Sequence, residues 1–458
     1  MLTTVILAAG KGTRMKSSLP KVLHPIAGKP LLKHVIDTAK QVSSHAINIV
    51  VGHGAEEVKQ HVNIAENINF IVQQQQLGTG HAVQQALPYL NDSSVVLILY
   101  GDVPLIEEKT LKRLIGVVDE KSLGLLTVTL KDSNGYGRIV RNESNQVIAI
   151  VEQKDASENE LKIKEVNTGV MAVNALHLKE WLPLLSNNNT QGEYYLTDII
   201  ALAKSQGVNI HTEEPSHEWE VLGVNDRRQQ AALERIYQSN LTEKLLIDGV
   251  TLIDPSRFDC RGELTVGNDV IIDINCIFKG NVSIGDNVKI GANCILENSI
   301  IAAGTEIKDH CILEGATLEE NCIVGPFARL RPGSVLAEQV KIGNFVETKK
   351  VTISKRSKVN HLSYVGDATL GEDVNVGAGT ITCNYDGVNK HQTIIGDNVF
   401  VGSNSALIAP ITIESGSTIG AGSTINRLVE KETLALTRAP QKTYREWSRP
   451  TKLTKSPK

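Results

Sequence analysis

The run I-G-D-N-V-K-I-G-A-N-C-I, residues 284–295, is two six-residue words placed end to end, and its reading decides the fold of half the chain. Ile284 and Ile290 lie on a series that begins at Val266, Ile272 and Phe278 and continues to Leu296. Two further runs keep the same step: Leu318, Val324, Leu330, Leu336 and Ile342, then Val401, Leu407, Ile413 and Ile419. Six is not a multiple of 3.6, so an amphipathic helix is excluded. A fixed period of six predicts a parallel β-helix in which each hexad supplies one flat face. The aliphatic position and the small slot four residues later then point inward.

Cys276, Cys294, Cys311 and Cys322 occupy that small slot, and all six cysteines lie after residue 259. C-x-x-C spacing is absent, so they read as small buried hydrophobes in a reducing cytoplasm rather than metal ligands or disulfide partners. The register slips near Ile300 and again around Lys349–Ile353. A non-repeating stretch, T-C-N-Y-D-G-V-N-K-H-Q-T from Thr382 to Thr393, interrupts it. That stretch is either an excursion loop with a function or a tolerated surface insertion.

Upstream of Gly249 the pattern is different. From about Asp226 to Asp248 the apolar residues Leu233, Ile236, Tyr237, Leu241 and Leu245 form one stripe at helical spacing. The other faces are polar, which predicts a linker helix belonging to neither core. Earlier still, Val5–Leu7, Ile47–Val51, Phe70–Val72, Val95–Tyr100 and Leu125–Leu130 read as strands. Leu31–Gln41, Gly80–Leu87 and Thr110–Val118 read as helices between them. Such alternation predicts a mainly parallel, Rossmann-like sheet covered on both faces, with ligands beyond the carboxyl ends of the strands.

A chain of 458 residues is too long for one core, so two or three domains are expected. Charged residues are 21% with a net charge of −4, which gives no nucleic-acid surface. No apolar run is long enough for a membrane span, and the start carries no signal-peptide pattern, so a cytoplasmic location is expected.

The most informative chemical stretch is L-A-A-G-K-G-T-R-M-K-S-S-L-P-K, Leu7 to Lys21, directly behind the first strand. Ala8, Ala9, Gly10 and Gly12 let backbone N–H groups approach phosphate oxygens, and Lys11, Arg14 and Lys21 bring positive charge. The order fits neither a P-loop nor G-x-G-x-x-G. It resembles instead the signature of sugar-nucleotide pyrophosphorylases, L-x-x-G-x-G-T-x-M-x-x-x-x-P-K. Joining a sugar phosphate to a nucleoside triphosphate needs positioning, cations and a magnesium ion more than covalent chemistry. Asp102, in L-Y-G-D-V-P at a strand end, is the first candidate ligand, with a plain turn aspartate as the alternative. The glutamines of Q-Q-Q-Q-L-G-T-G-H-A, Gln73 to Ala82, either read a uracil edge or are solvated filler.

With G-Y-G-R, V-E-Q-K-D, V-N-T-G, Q-G-E-Y-Y-L-T-D-I-I and G-A-G-T-I-T-C-N-Y-D-G, the chain resembles a whole family from Leu7 to about Trp447. This is the family of bifunctional bacterial N-acetylglucosamine-1-phosphate uridyltransferases and glucosamine-1-phosphate N-acetyltransferases. The resemblance implies an α/β nucleotidyltransferase domain over 1–228, a linker helix over 229–249 and a left-handed hexapeptide β-helix over 250–458, assembled as a homotrimer. It also implies UTP, sugar 1-phosphates and acetyl-CoA as substrates, and Mg2+ as cofactor. Leu7, Ala8, Ala9, Gly10 and Lys21 would contact UTP or its product, while Gln73, Gly78 and Thr79 would hold the uridine. Gly137, Glu152 and Asn167 would bind the N-acetylglucosamine moiety. Asp102 and Asn225 would hold magnesium; by spacing alone Asn225 is a helix cap.

In the second half, His361 of N-H-L-S-Y is by itself either a structural histidine or a general base for an amine attacking a thioester. The resemblance implies the general base. Arg331, Lys349, Tyr364 and Asn375 match glucosamine 1-phosphate contacts, with cations against the phosphate. Ala378, Asn384, Tyr385, Ser403, Ala421 and Arg438 match acetyl-CoA contacts made mostly where subunits meet. Glu347 would orient His361. His391 and Gln392 in the excursion depart from the pattern. One competing reading is a single nucleotidyltransferase whose β-helix only oligomerises or regulates; another is a non-enzymatic binding scaffold, against which the intact Leu7–Lys21 pattern with Asp102 argues.

Overall fold

The computed structural model describes residues 1–52, 54–62 and 67–452, so the end of the expected second domain, 453–458, lies outside the described residues. The chain divides into two compact units. One comprises Met1–Lys244 with Cys260–Gly262, the other the remainder.

The first unit is built on nine strands: β1 Leu2–Ala8, β2 Ala46–Val51, β3 Ile68–Val72, β4 Val95–Tyr100, β5 Ser122–Thr129, β6 Arg138–Arg141, β7 Val147–Val151, β8 Glu165–Asn174 and β9 Asn209–Glu213. The main path runs β9-β5-β8-β4-β1-β2-β3, with β6 paired to β8 and β7. The pairings of β1 with β2 and β4, of β2 with β3 and of β5 with β9 are parallel. On that path only β8 runs against its neighbours, β4 and β5, and off it β6 is antiparallel to both β7 and β8. Its helices are α1 Leu31–Gln41, α2 Ala55–His61, α3 Thr79–Ala86, α4 Glu108–Gly116, α5 Ala175–Trp181, α6 Ile199–Ser205 and α7 Arg227–Ile247, the last of which runs on past Lys244 into the second unit.

The unbroken apolar runs of β1 and β4 follow from burial on both faces. Val5, Leu7, Val96 and Ile98 pack with Val83, Leu178, Trp181 and Ile199 on one side. Ile6, Ala8, Leu97 and Leu99 pack with Leu32, Val35, Ile36, Leu111 and Leu114 on the other.

The expectation that α7 belongs to neither core does not hold for its first half. Leu233 is buried against Met15, Ile26, Leu31, Leu105 and Val224, with Ile236 and Tyr237 beside it. Gln238, also buried, donates to the Cys260 carbonyl at 2.7 Å and accepts from its N–H at 2.9 Å. The apolar stripe therefore serves the first unit before it serves as a connection.

The second unit is a parallel β-helix. Three ladders of short strands climb it. One passes through Ile277, Ile295, Ile312, Arg329, Glu347, Tyr364, Ile381, Ala406 and Thr424. Where three full hexads make a coil, partners lie eighteen residues apart, as for Ile277 and Ile295. The slips expected near Ile300 and around Lys349–Ile353 are coils of seventeen, as in Ser283 to Ile300 and Val335 to Thr352. The Thr382–Thr393 stretch widens one coil to twenty-five, from Ile381 to Ala406.

The predicted inward positions are buried, from Ile272 to Ile419, except that Val266 at the first turn is partly exposed. Cys276, Cys294, Cys311 and Cys322 are fully enclosed. Burial pushes the Cys276 and Cys322 thiols up to about 11, so both are protonated and unreactive near neutrality. Among the described residues no helix is long and apolar enough to cross a membrane.

Candidate active sites

In the first unit β1 has a parallel neighbour on each side, and the crevice beyond its carboxyl end is where such sheets take ligands. A cavity of about 500 Å³ opens there, lined by Leu7, Ala8, Ala9, Gly10, Lys21, Gln73, Gly78, Thr79 and Asp102. Lys11 and Gln76, from the two stretches the sequence points to, line it too, together with Tyr100 and Glu193, to which the sequence assigns no role. Tyr100 had a signal, since it directly precedes Gly101 and Asp102 at the strand end. Gly12 must be glycine: its φ is +58°, and a Cβ would stand 2.6 Å from the Lys21 Cβ.

The Lys21 ammonium pairs with Asp102 Oδ2 and also donates to Asn225 Oδ1 at 3.2 Å. Arg14 donates to the same Asn225 oxygen at 2.9 Å. Asn225 arrives because the Val224 N–H donates to the Asp102 carbonyl at 2.9 Å, joining segments more than a hundred residues apart. A carboxylate oxygen and an amide oxygen thus converge on one cation. That donor set suits a hard divalent metal completed by water and phosphate oxygens. Among the described residues no cluster of three or more His, Cys, Asp or Glu side chains could hold a metal alone.

Gln73 is buried, and its amide nitrogen donates to the Gly78 carbonyl at 3.2 Å and to His81 Nδ1 at 2.9 Å, leaving its oxygen for a ligand. Gly137, Glu152 and Asn167 meet: the Asn167 N–H donates to the Gly137 carbonyl at 2.8 Å, and a Cβ on Gly137 would lie 3.4 Å from Glu152 Oε1. The Thr197 hydroxyl donates to Glu152 at 3.1 Å. Burial lifts the Glu152 carboxyl above its usual range, and the nearby Asp198 charge adds to this. Tyr100 joins the two groups of residues. Burial first, then the charges of Glu152 and Asp102, raise its phenol, while a hydrogen bond with Thr79 opposes them. Gly169 has φ +85°, and any Cβ there would run into the Tyr100 ring.

In the second unit the expected residues are exposed or half-buried, except Asn384, which is buried. His361, Ala378, Ser403 and Ala421 form one column at a corner. The Gly379 N–H donates to the His361 carbonyl, Asn404 to Ala378 and Gly422 to Ser403, each one coil below. Arg438 caps this column, its guanidinium close to Gly420 and its methylenes close to Gly422.

The expectation that Glu347 orients His361 fails. Glu347 accepts from Arg331 at 2.9 Å, and its register partner is Tyr364. His361 pairs with Asn344, whose side-chain oxygen lies 2.9 Å from His361 Nδ1. In the tautomer that donates from Nδ1, Nε2 keeps a lone pair facing solvent. Asn384 reaches Asp367 and, at 3.4 Å, the Tyr364 hydroxyl. Lys349 lies near Lys390 and Arg331, whose positive charges push its ammonium below the usual lysine value, Lys390 most. Three cations gathered on one face favour an anion between them, and Lys390 had not been singled out. Asn375 sits on the adjoining ladder between Lys358 and Phe400.

A nucleotidyltransferase sheet with a phosphate loop, followed by a hexapeptide-repeat acyltransferase helix, is the class of protein that fold and sites define. Family models agree: a MobA-like NTP transferase domain matches residues 4–160, a GMPPB C-terminal domain 260–359 and a bacterial transferase hexapeptide 392–427. The bifunctional protein GlmU of Cellvibrio japonicus is 60% identical over 99% of this chain and 100% of its own. The GlmU proteins of Marinobacter nauticus and Saccharophagus degradans are each 57% identical, over 98% and 99% of this chain and 99% and 100% of theirs. The chain belongs to the GlmU family. It is a bifunctional enzyme, an acetyltransferase and a uridyltransferase.

Proposed function

We propose that the two reactions run at the two sites just described, acetyl transfer in the β-helix first and uridyl transfer in the α/β unit second. The observation that carries the uridyl assignment is the convergence of Lys21, Asp102 and Asn225 at the mouth of the cavity. Leu7 to Gly10 and Lys21 cradle the triphosphate, Gln73, Gly78 and Thr79 hold the uridine, and Gly137, Glu152 and Asn167 hold the sugar. Lys11, Arg14 and Lys21 neutralise phosphate charge while the sugar-phosphate oxygen attacks the α-phosphorus. Its P–O bond forms as the bond to pyrophosphate breaks. Mg2+ held by Asp102 and Asn225 would supply charge neutralisation across the phosphates.

In the β-helix, Arg331, Lys349 and Lys390 face the phosphate of glucosamine 1-phosphate, with Tyr364 and Asn375 along the sugar. Asn344 holds His361 so that Nε2 takes a proton from the amine. The nitrogen attacks the thioester carbonyl, the C–S bond breaks, and the departing thiolate recovers the proton from the imidazolium. Ala378, Asn384, Tyr385, Ser403, Ala421 and Arg438 hold acetyl-CoA along the His361 column. Incubation with glucosamine 1-phosphate, acetyl-CoA, UTP and Mg2+ should yield UDP-N-acetylglucosamine and pyrophosphate. Without Mg2+ it should stop at N-acetylglucosamine 1-phosphate; failure to accumulate either product refutes the scheme. The reading places the enzyme in the cytoplasm, where these substrates are made.

The working form is a homotrimer on this reading. Support comes from a second column beside His361, where His310 stacks on Phe327 at 4.8 Å and Phe327 on Phe345 at 5.3 Å. Phe327, Phe345 and Leu362 are 47%, 56% and 63% exposed, and all three have left-handed backbone. Large apolar residues disfavour that conformation, and exposure brings them no burial in a lone chain. A second copy would cover them beside His361. Phe327→Asn with Phe345→Asn should shift sedimentation from trimer to single chains; an unchanged trimer would refute the role of this column.

A further inference from the structure

The residues that widen one coil, Thr382–Thr393, fold back as a small hairpin. Tyr385 and Lys390 face each other in an antiparallel bridge. The Asp386 N–H donates to the Asn389 carbonyl at 3.2 Å, and the His391 N–H donates to the Asn384 carbonyl at 2.8 Å. One side chain closes the turn. Asp386 Oδ1 accepts from the N–H groups of Val388 at 2.8 Å and Asn389 at 2.6 Å. Its Oδ2 lies 2.7 Å from His391 Nε2, which donates to it. The His391 bond, then the two amides, hold the Asp386 carboxyl well below the usual carboxylate range.

The hairpin presents Lys390 toward Lys349, and Lys390 is the strongest influence lowering the Lys349 ammonium, with Arg331 adding to it. Without an anion these cations repel one another, so an unbraced hairpin would let Lys390 turn out to solvent. Something must hold it in place before substrate arrives. Tyr385 cannot do so by its ring, since its hydroxyl is turned back to the Gly387 carbonyl within the same turn. Gln392 ties the far end, donating to Thr369 at 3.2 Å.

We propose that His391 is a positioning residue for acetyl transfer, clamping Asp386 so that the hairpin holds Lys390, Asn384 and Tyr385 at the site. The proposal rests on the reading of Arg331 and Lys349 as sugar-phosphate contacts. His391 acts through the hairpin and takes no part in the proton transfer at His361.

The test is steady-state acetyl transfer by the full chain, with glucosamine 1-phosphate varied at saturating acetyl-CoA. His391→Phe keeps the ring bulk and removes the donor. KM for glucosamine 1-phosphate should rise roughly fivefold to tenfold, the scale of a charge-assisted hydrogen bond lost at an exposed position. The kcat should fall less than about twofold, because His361 and Asn344 are untouched. His391→Gln, whose amide can donate to the same carboxylate, should restore KM. An unchanged KM in His391→Phe overturns the proposal. So does a raised KM that His391→Gln leaves uncorrected, because the donor is then not what matters. Lys349→Ala tests the reading beneath and should raise KM more than His391→Phe does. If it leaves KM unchanged, the phosphate assignment fails and the brace falls with it; if it raises KM while His391→Phe does not, the brace alone falls.

Discussion

In the α/β unit the assigned residues are drawn together into a concave space, whereas in the β-helix they stand in rows on an outward surface. Parallel strands flanked by helices leave a crevice where their carboxyl ends separate, and loops from β1, β3 and β4 empty into it, with Glu193 from the segment before α6. A solenoid repeats one coil after another, so its positions align in columns such as His361, Ala378, Ser403 and Ala421. Columns give register, not enclosure. The difference teaches that one chain can finish a nucleotide site from a sheet. A flat-faced helix needs an added hairpin, or another copy, to surround its substrate.

The most severe way to break that contrast is His361→Ala. General-base loss should lower acetyl turnover by ~10²–10⁴-fold, with uridyl transfer from supplied N-acetylglucosamine 1-phosphate unchanged. An undiminished acetylation rate across neutral pH would make His361 structural.

Asp102→Ala is the mirror experiment. It should depress uridyl transfer by about 10²–10³-fold, the scale of losing one preorganised electrostatic group, and spare acetyl transfer. Equal loss of both activities in a folded protein would show that the sites are not independent.

Leu233→Ala sharpens where the first region ends. Removing a buried leucine should destabilise the α/β unit by about 2–5 kcal/mol. Calorimetry should show its unfolding moved down while that of the β-helix stays. No shift would return α7 to the status of a linker.

The smallest effect concerns Glu152, whose carboxyl is raised by burial above all. A raised carboxyl binds its proton more readily folded than unfolded. Its contribution therefore favours the fold at acid pH and is lost as pH climbs from the ordinary glutamate value through the raised one. Glu152→Gln should raise the thermal midpoint of the α/β unit near neutral pH and lose that advantage below about pH 4. A midpoint difference independent of pH would refute the buried-charge account.

Much of both halves was legible because it is written in short-range pattern. The hexad period located the β-helix and its inward column, and helix α1 runs over the predicted Leu31–Gln41. The strand-end motifs Leu7–Lys21 and Gly101–Asp102 fall where a cavity opens. What was not legible came from contacts between distant segments. Asn225 looks like a cap until the Val224–Asp102 hydrogen bond sets it beside the Lys21 pair. Glu347 looks like the partner of His361 until coil register gives that place to Asn344. The α7 stripe showed that Leu233 would be buried somewhere, but not that Met15, Ile26 and Leu105 would cover it.

Short-range pattern settled the two architectures, the glycine loop behind β1 and the column in which His361 stands. These depend on residues a few positions apart, whose spacing dictates which face they occupy. Tertiary structure alone decided the partners: which oxygens meet the Lys21 ammonium, which amide holds His361, and which cations crowd Lys349. Those choices are made across a hundred residues or across one coil, where a one-residue shift of register exchanges one neighbour for another and no local pattern records it.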